Sequence, residues 1–240
     1  MQDILLICTI VVAASFLQGL TGFGFALIAL PLLGFLLDIK TSVPLMTLLA
    51  LFISLTLSLQ MRLDIRLKNV STLMIATIPG IMLGTYVLKH VPSEILSLGI
   101  GILMVAFTFY QLTVKPIPRN SGRIITSIAG FTSGVLGGSL GAGGPPVIVY
   151  SAIQSWTKNQ AKATLAAYFT ISGVLVAGMH AYSGLTTLCV LKLFMYALPA
   201  LALGVWLGAQ AYTRLSDHGY KRLAFILVFM LGCMMIYRTI

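Results

Sequence analysis

The stretch Gly137-Gly-Ser-Leu-Gly-Ala-Gly-Gly-Pro-Pro146 lies inside an apolar run that extends from Ile124 to Ile153. Five glycines and two prolines in ten residues interrupt any helix that enters them. The run is 30 residues long, whereas one bilayer crossing takes about 20 residues. It is too long for one span and short for two. It reads as a helix broken at depth, either a re-entrant hairpin or two short tilted segments.

A second such run opens the chain, from Ile4 to Leu37, 34 residues. It carries Gly19-Leu-Thr-Gly22-Phe-Gly24 and then Pro31. Gly19-x-x-Gly22-x-Gly24 matches Gly138-x-x-Gly141-x-Gly143 at an offset of 119, almost half of the 240-residue chain. Pro79 with Gly84 recurs as Pro199 with Gly204 at an offset of 120, while Gly80-x-x-x-Gly84 and Gly204-x-x-x-Gly208 align only at 124. Between and after the long runs lie six apolar runs of single-span length. They are Val43–Leu59, Val70–Leu88, Ile95–Val114, Ala163–Tyr182, Leu193–Tyr212 and Leu223–Tyr237. The expected fold is all-α and polytopic: one membrane domain over residues 1–240. Repeat one covers about 1–116 and repeat two about 120–240, each a broken hairpin followed by three transmembrane helices.

Composition supports the membrane. Hydrophobic residues make up 58% of the chain and charged residues 8%, against about 25% charged in soluble domains. The net charge of +10 would suggest nucleic acid in a soluble protein. Here it fits Lys and Arg gathered in cytoplasmic loops. Cys8, Cys189 and Cys233 are few, odd in number and far apart, which fits packing rather than a disulfide framework or a metal site.

The basic residues choose between topologies. If each long run crossed once, they would divide eight against seven. If each long run returns to the side it entered, one side holds eleven: Arg62, Arg66, Lys68, Lys115, Arg119, Arg123, Lys158, Lys162, Arg214, Lys221 and Arg222. The other holds Lys40, Lys89, Lys192 and Arg238. The positive-inside rule selects the returning arrangement, which puts both termini outside. The N-terminus, with Asp3 and no basic residue before the apolar run, does not resemble a cleaved signal peptide. Three spans per repeat is odd, so the second copy starts from the opposite face. That is the inverted-repeat plan of many secondary transporters, in which broken helices of the two halves form the substrate site near the midplane.

A broken helix exposes backbone N–H groups at a new N-terminus, at the positive end of its dipole. Such a place holds an anion without a buried Lys or Arg. The candidate substrate residues are Gln18, Gly19, Thr21, Gly22, Gly24 and Phe25 in the first run, and Gly138, Ser139, Gly141, Gly143, Gly144 and Pro145 in the second. Thr21, Ser139 and Gln18 would add side-chain donors. The competing reading gives single glycines to small-xxx-small helix packing, as in Gly130/Gly134/Gly138.

At these residues the sequence resembles the sulfite exporter TauE/SafE family, also called TSUP. Gln18-Gly-Leu-Thr-Gly-Phe-Gly-Phe-Ala-Leu-Ile-Ala-Leu-Pro31 is similar to that family's N-terminal stretch, and Gly137 to Tyr150 to its second-repeat stretch. Phe25-Ala26 stands where many relatives continue with glycines. The resemblance implies a bacterial inner-membrane transporter of small sulfur-containing or organic anions, often an exporter of sulfite or sulfonates. No cofactor is implied. The expected partners are the small anion and the lipid bilayer, not nucleic acid, with a homodimer left open. Import of an oxyanion coupled to an ion gradient is the alternative.

Asp3, Asp38, Asp64, Glu94 and Asp217 all fall at or near the ends of apolar runs, so no mid-span carboxylate offers a proton relay. His180 lies near the outer end of its run and reads as a satisfied interfacial residue; Na⁺ on backbone carbonyls stays open. A serine hydrolase built from Ser139 and His180 lacks a nucleophile motif, and a metal hydrolase lacks clustered ligands. A scaffold role would leave every phenotype intact in glycine variants that fold.

Overall fold

In the computed structural model the described residues are 2–21, 24–62, 67–114, 122–212 and 217–239, and among them all regular structure is helical. Ten helices are present: α1 Gln2–Thr21, α2 Phe25–Gly34, α3 Ile39–Gln60, α4 Leu67–His90, α5 Ser93–Thr113, α6 Arg123–Leu140, α7 Gly144–Ala152, α8 Lys158–Tyr182, α9 Leu188–Tyr212 and α10 Asp217–Thr239. Five of them, α3, α4, α5, α8 and α9, are long and apolar enough to cross a membrane. In α10 the apolar stretch among described residues is shorter, Phe225–Thr239. Both over-long runs are broken where the glycines cluster. The first divides into α1 and α2, the second into α6 and α7. Large apolar side chains such as Ile75, Phe109 and Trp206 are exposed, the surface expected of a chain solvated by lipid rather than water.

The helices form two compact units. One comprises residues 1–46, 91–114 and 186–240. In it α1 packs on α9, and α5 on α10. The α1–α9 contact is made at backbone distance: a methyl group on Gly204 would lie 2.5 Å from the Val12 carbonyl oxygen, and one on Gly19 would lie 2.6 Å from that of Val205. At the start of α3, the Asp38 carboxylate accepts from the Lys40 N–H at 2.7 Å and from Ser93 Oγ at 2.9 Å.

The second unit comprises residues 47–90 and 115–185. Here α4 and α6 run parallel, with Leu73 against Gly130, Thr77 against Gly134 and Ile81 against Gly138. Bare glycine at every fourth position of α6 removes the ridge that would hold the helices apart. Helix α7 folds back along α6, so that Ser133 Oγ reaches the Gly143 carbonyl and Thr126 Oγ1 donates to Tyr150 Oη. The second long run is therefore an antiparallel hairpin. Its outer face closes a core of Leu73, Met74, Val147, Tyr150, Ala167 and Tyr168.

Candidate substrate site

The first break begins after Thr21, the last residue of α1, whose side chain is outside the description; Gly22 lies outside the described residues. Gly24 then caps α2 with φ 99° and ψ −2°, a left-handed conformation that only glycine adopts freely. A methyl group there would meet nothing within 4 Å among the described residues. Gln18, expected as a donor to ligand, instead uses its side-chain oxygen to accept the Phe25 N–H at 2.8 Å. It satisfies one of the N–H groups that the first turn of α2 leaves unpaired. The Phe25 ring is buried. Gly19 faces α9 and serves packing.

The second break can be accounted for donor by donor. Helix α6 ends at Gly141, with φ 62° and ψ 11°. The Gly141 N–H donates to Gly137 O and the Ala142 N–H to Leu136 O, both at 3.2 Å. The first is the bond of an αL cap, and together the two consume both N–H groups. Pro145 and Pro146 begin α7 and have no N–H. Among the described residues, the backbone donors left at this break are those of Gly143 and Gly144, both half-buried. The ligating capacity is narrower than a generic helix N-terminus suggests, and Pro145 shapes the break without donating.

Ser139 does not add a donor. Its Oγ gives its proton to Val135 O at 2.6 Å, and the residue is buried against α4. Gly138 likewise abuts α4, where a methyl group would lie 2.8 Å from Ile81 O. Ser139 and His180 are not arranged as nucleophile and base, because His180 Nε2 contacts the Gly138 carbonyl at 2.9 Å. The interfacial expectation for His180 is corrected: it is 0% exposed. The sequence places it near a helix end, but the last carbonyls of α6 need donors, and its ring supplies one.

Sequence reasoning also missed a chain of buried hydroxyls that holds the break. Ser133 Oγ donates to the Gly143 carbonyl. With its proton spent there, it accepts from Tyr168 Oη at 2.9 Å. Tyr168 Oη in turn lies 2.9 Å from Thr77 Oγ1, which also approaches Leu73 O at 2.8 Å and Gly130 O at 3.0 Å. One serine, one tyrosine and one threonine from three helices thus fix the carbonyl beside the two free donors. No spacing rule links positions 77, 133 and 168, which is why the sequence did not single them out.

The family described as "Sulfite exporter TauE/SafE" matches residues 6–235. The "Probable sulfite/organosulfonate exporter TauE" of Cupriavidus necator is 25% identical over 223 residues, covering 89% of this chain and 86% of that one. No solved structure matches the chain.

Proposed function

Because the chain belongs to the TauE/SafE sulfite exporter family, a family of multi-pass membrane transporters and not of enzymes, we propose that it exports a small anion, sulfite or a related organosulfonate, across the bacterial inner membrane. Each Gly-rich break offers backbone N–H groups to the substrate, near the middle of the bilayer. The observation that carries this reading is the second break, where capping and proline chemistry leave two adjacent N–H donors on Gly143 and Gly144. Two neighbouring N–H groups suit an oxyanion and offer nothing to a cation. The relative from Cupriavidus necator, named for sulfite and organosulfonate, suggests the substrate class.

The proposed architecture is a pair of inverted repeats, about 1–116 and 120–240, with both termini outside. It is supported by the eleven-to-four division of basic residues and by the equivalent parts of the two units. In one unit the glycines of α9 meet α1; in the other the glycines of α4 meet α6. The 124-residue alignment of Gly80 and Gly84 with Gly204 and Gly208 matches these equivalent contacts.

With no carboxylate at mid-span, the electrical gradient supplies the drive. An interior negative by 100 mV favours exit of each negative charge by about 2.3 kcal/mol, roughly fortyfold. The test is flux of sulfite, thiosulfate and short sulfonates in proteoliposomes, with potential, pH and Na⁺ gradients imposed separately. Response to potential alone supports the reading. An absolute requirement for a Na⁺ or proton gradient replaces it with coupled import, and no flux of any anion defeats it.

A further inference from the structure

The Gly143 carbonyl and the Gly144 N–H belong to one peptide unit. No described peptide bond is cis, so the two groups point in opposite directions from one rigid plane. Whatever holds the carbonyl therefore also aims the N–H. The carbonyl accepts from Ser133 Oγ, on α6. Ser54, Ser139 and Thr170 return their hydroxyls to the carbonyl four residues earlier, the ordinary way for a helix to satisfy such a group. Ser133 spends its one proton across the hairpin, on the peptide that leads into α7. Toward Tyr168 Oη, at 2.9 Å, it can then only accept. The protons thus run one way, from Tyr168 through Ser133 to the Gly143 oxygen. Hydrogen bonds aligned in this sense polarise one another, which makes the N–H of the same peptide a better donor.

A second observation says what this N–H receives. Gly24-Phe25 and Gly143-Gly144 align at the 119-residue offset, and Phe25 and Gly144 each open a helix. At Phe25 the N–H is met at 2.8 Å by the carboxamide oxygen of Gln18. The counterpart of Gln18 at the same offset is Gly137, which has no side chain to do this. A methyl group on Gly137 would lie 3.6 Å from Gly143 Cα and 3.9 Å from Gly143 N. The missing side chain is therefore missing at the break itself.

We propose that an oxygen of the substrate anion occupies, on the Gly144 N–H, the place that the Gln18 carboxamide oxygen fills in the first break, with Gly137 keeping that place open and Ser133 aiming the N–H at it. This rests on the proposed function and deepens it by two residues. Ser133 is a positioning residue: it touches no substrate and acts through the peptide plane. Gly137 decides between a self-satisfied helix start, as at Phe25, and one left for a ligand. Tyr168, 1% exposed and packed in one core with Leu73 and Val147, anchors the hydroxyls behind the carbonyl.

The experiment reads the Gly144 amide directly. Only two peptide bonds in the chain join glycine to glycine, Gly137–Gly138 and Gly143–Gly144. Glycine labelled with ¹³C at the carbonyl and with ¹⁵N therefore gives two peaks when amide and preceding carbonyl are correlated by NMR. Sulfite, titrated at constant ionic strength, is expected to move the Gly144 peak and to leave that of Gly138, which lies inside α6. Ser133→Ala should weaken this titration by about fivefold, the worth of one hydrogen bond. Thr126→Val removes a different hydroxyl between α6 and α7 and should leave it unchanged; an equal loss in both variants means general loosening and overturns the role of Ser133. Gly137→Gln should move the Gly144 peak with no anion present and weaken sulfite binding. Gly137→Met, of equal length but without the oxygen, should leave the anion-free peak in place. The Gly137 variants decide even where Ser133→Ala does not assemble, since a side chain at 137 begins with ordinary contacts. An anion-free peak that Gln and Met leave alike overturns the inference. So does a Gly144 peak that sulfite does not move in wild-type protein that transports sulfite in proteoliposomes. Wild-type protein that transports no anion defeats the functional reading itself, and this inference with it.

Discussion

Gly143 and Gly144 are adjacent, yet substituting them with alanine should have opposite consequences. A methyl group on Gly143 would lie 2.7 Å from Ser133 O and 3.2 Å from both Gly137 Cα and Ser133 Oγ. The nearest obstacle is backbone, held in the interior of α6, and a carbon needs about 3.3 Å or more from such an oxygen. The break must therefore open by about half an ångström, which also lengthens the bond from Ser133 Oγ to Gly143 O. Overpacking of this kind costs about 1–3 kcal/mol. A methyl group on Gly144 would meet first the end of the Ile148 side chain, at 3.5 Å, an ordinary contact. It would also stiffen the first turn of α7, a change worth up to about 1 kcal/mol in its favour. Reversible unfolding of the two variants in detergent, paired with anion flux after reconstitution, measures both effects. Gly143→Ala should be the less stable by about 2 kcal/mol and should lose transport, while Gly144→Ala stays near wild type in stability. Equal stability and equal flux would refute the claim that the break is held closed by contact between Gly143 and α6.

Three further outcomes are expected. Gly204→Ala, which places a methyl group 2.5 Å from Val12 O, should impair assembly of α1 with α9, whereas Gly178→Ala meets nothing within 4 Å among the described residues and should stabilise α8 by up to about 1 kcal/mol; the yield of monodisperse protein and its unfolding midpoint check both. Tyr168→Phe and Ser133→Ala should each destabilise the fold by about 0.5–1.5 kcal/mol, and the double variant by clearly less than the sum, because both act on one chain of hydroxyls. Single cysteines at position 120 and at the C-terminus, labelled in intact cells with an impermeant reagent, should react only at the C-terminus; labelling at 120 alone would reverse the proposed orientation.

The fold was largely legible because its strongest signals are local. A 30-residue apolar run divided by Gly141, Gly143, Gly144 and two prolines has few ways to exist in lipid, and the break falls among those residues. The site was legible only in part. Gly24 and Gly141, which take left-handed conformations, were marked by the same clusters that mark the breaks. Gly19, Gly138 and Ser139 fell in the same motifs, but the structure commits them to helix contacts. Sequence spacing does not distinguish a glycine that admits a helix from one that admits a ligand, since both require a missing side chain. The roles of Ser133, Tyr168 and His180 depend on which helix faces which, a tertiary fact with no local signature.

The α1–α9 contact bears on how the protein is made. Helix α1 leaves the ribosome well before its glycine partner α9, which begins only at Leu188. At about 5–20 residues per second, α1 waits on the order of ten to thirty seconds for α9. The unit of residues 47–90 and 115–185 is fully synthesised before α9 begins. Throughout that interval the surface of α1 around Val12, Ser15 and Gly19 stands open to lipid or to any insertion factor that shields it. Biogenesis of this chain therefore depends on a helix that inserts early and is completed late.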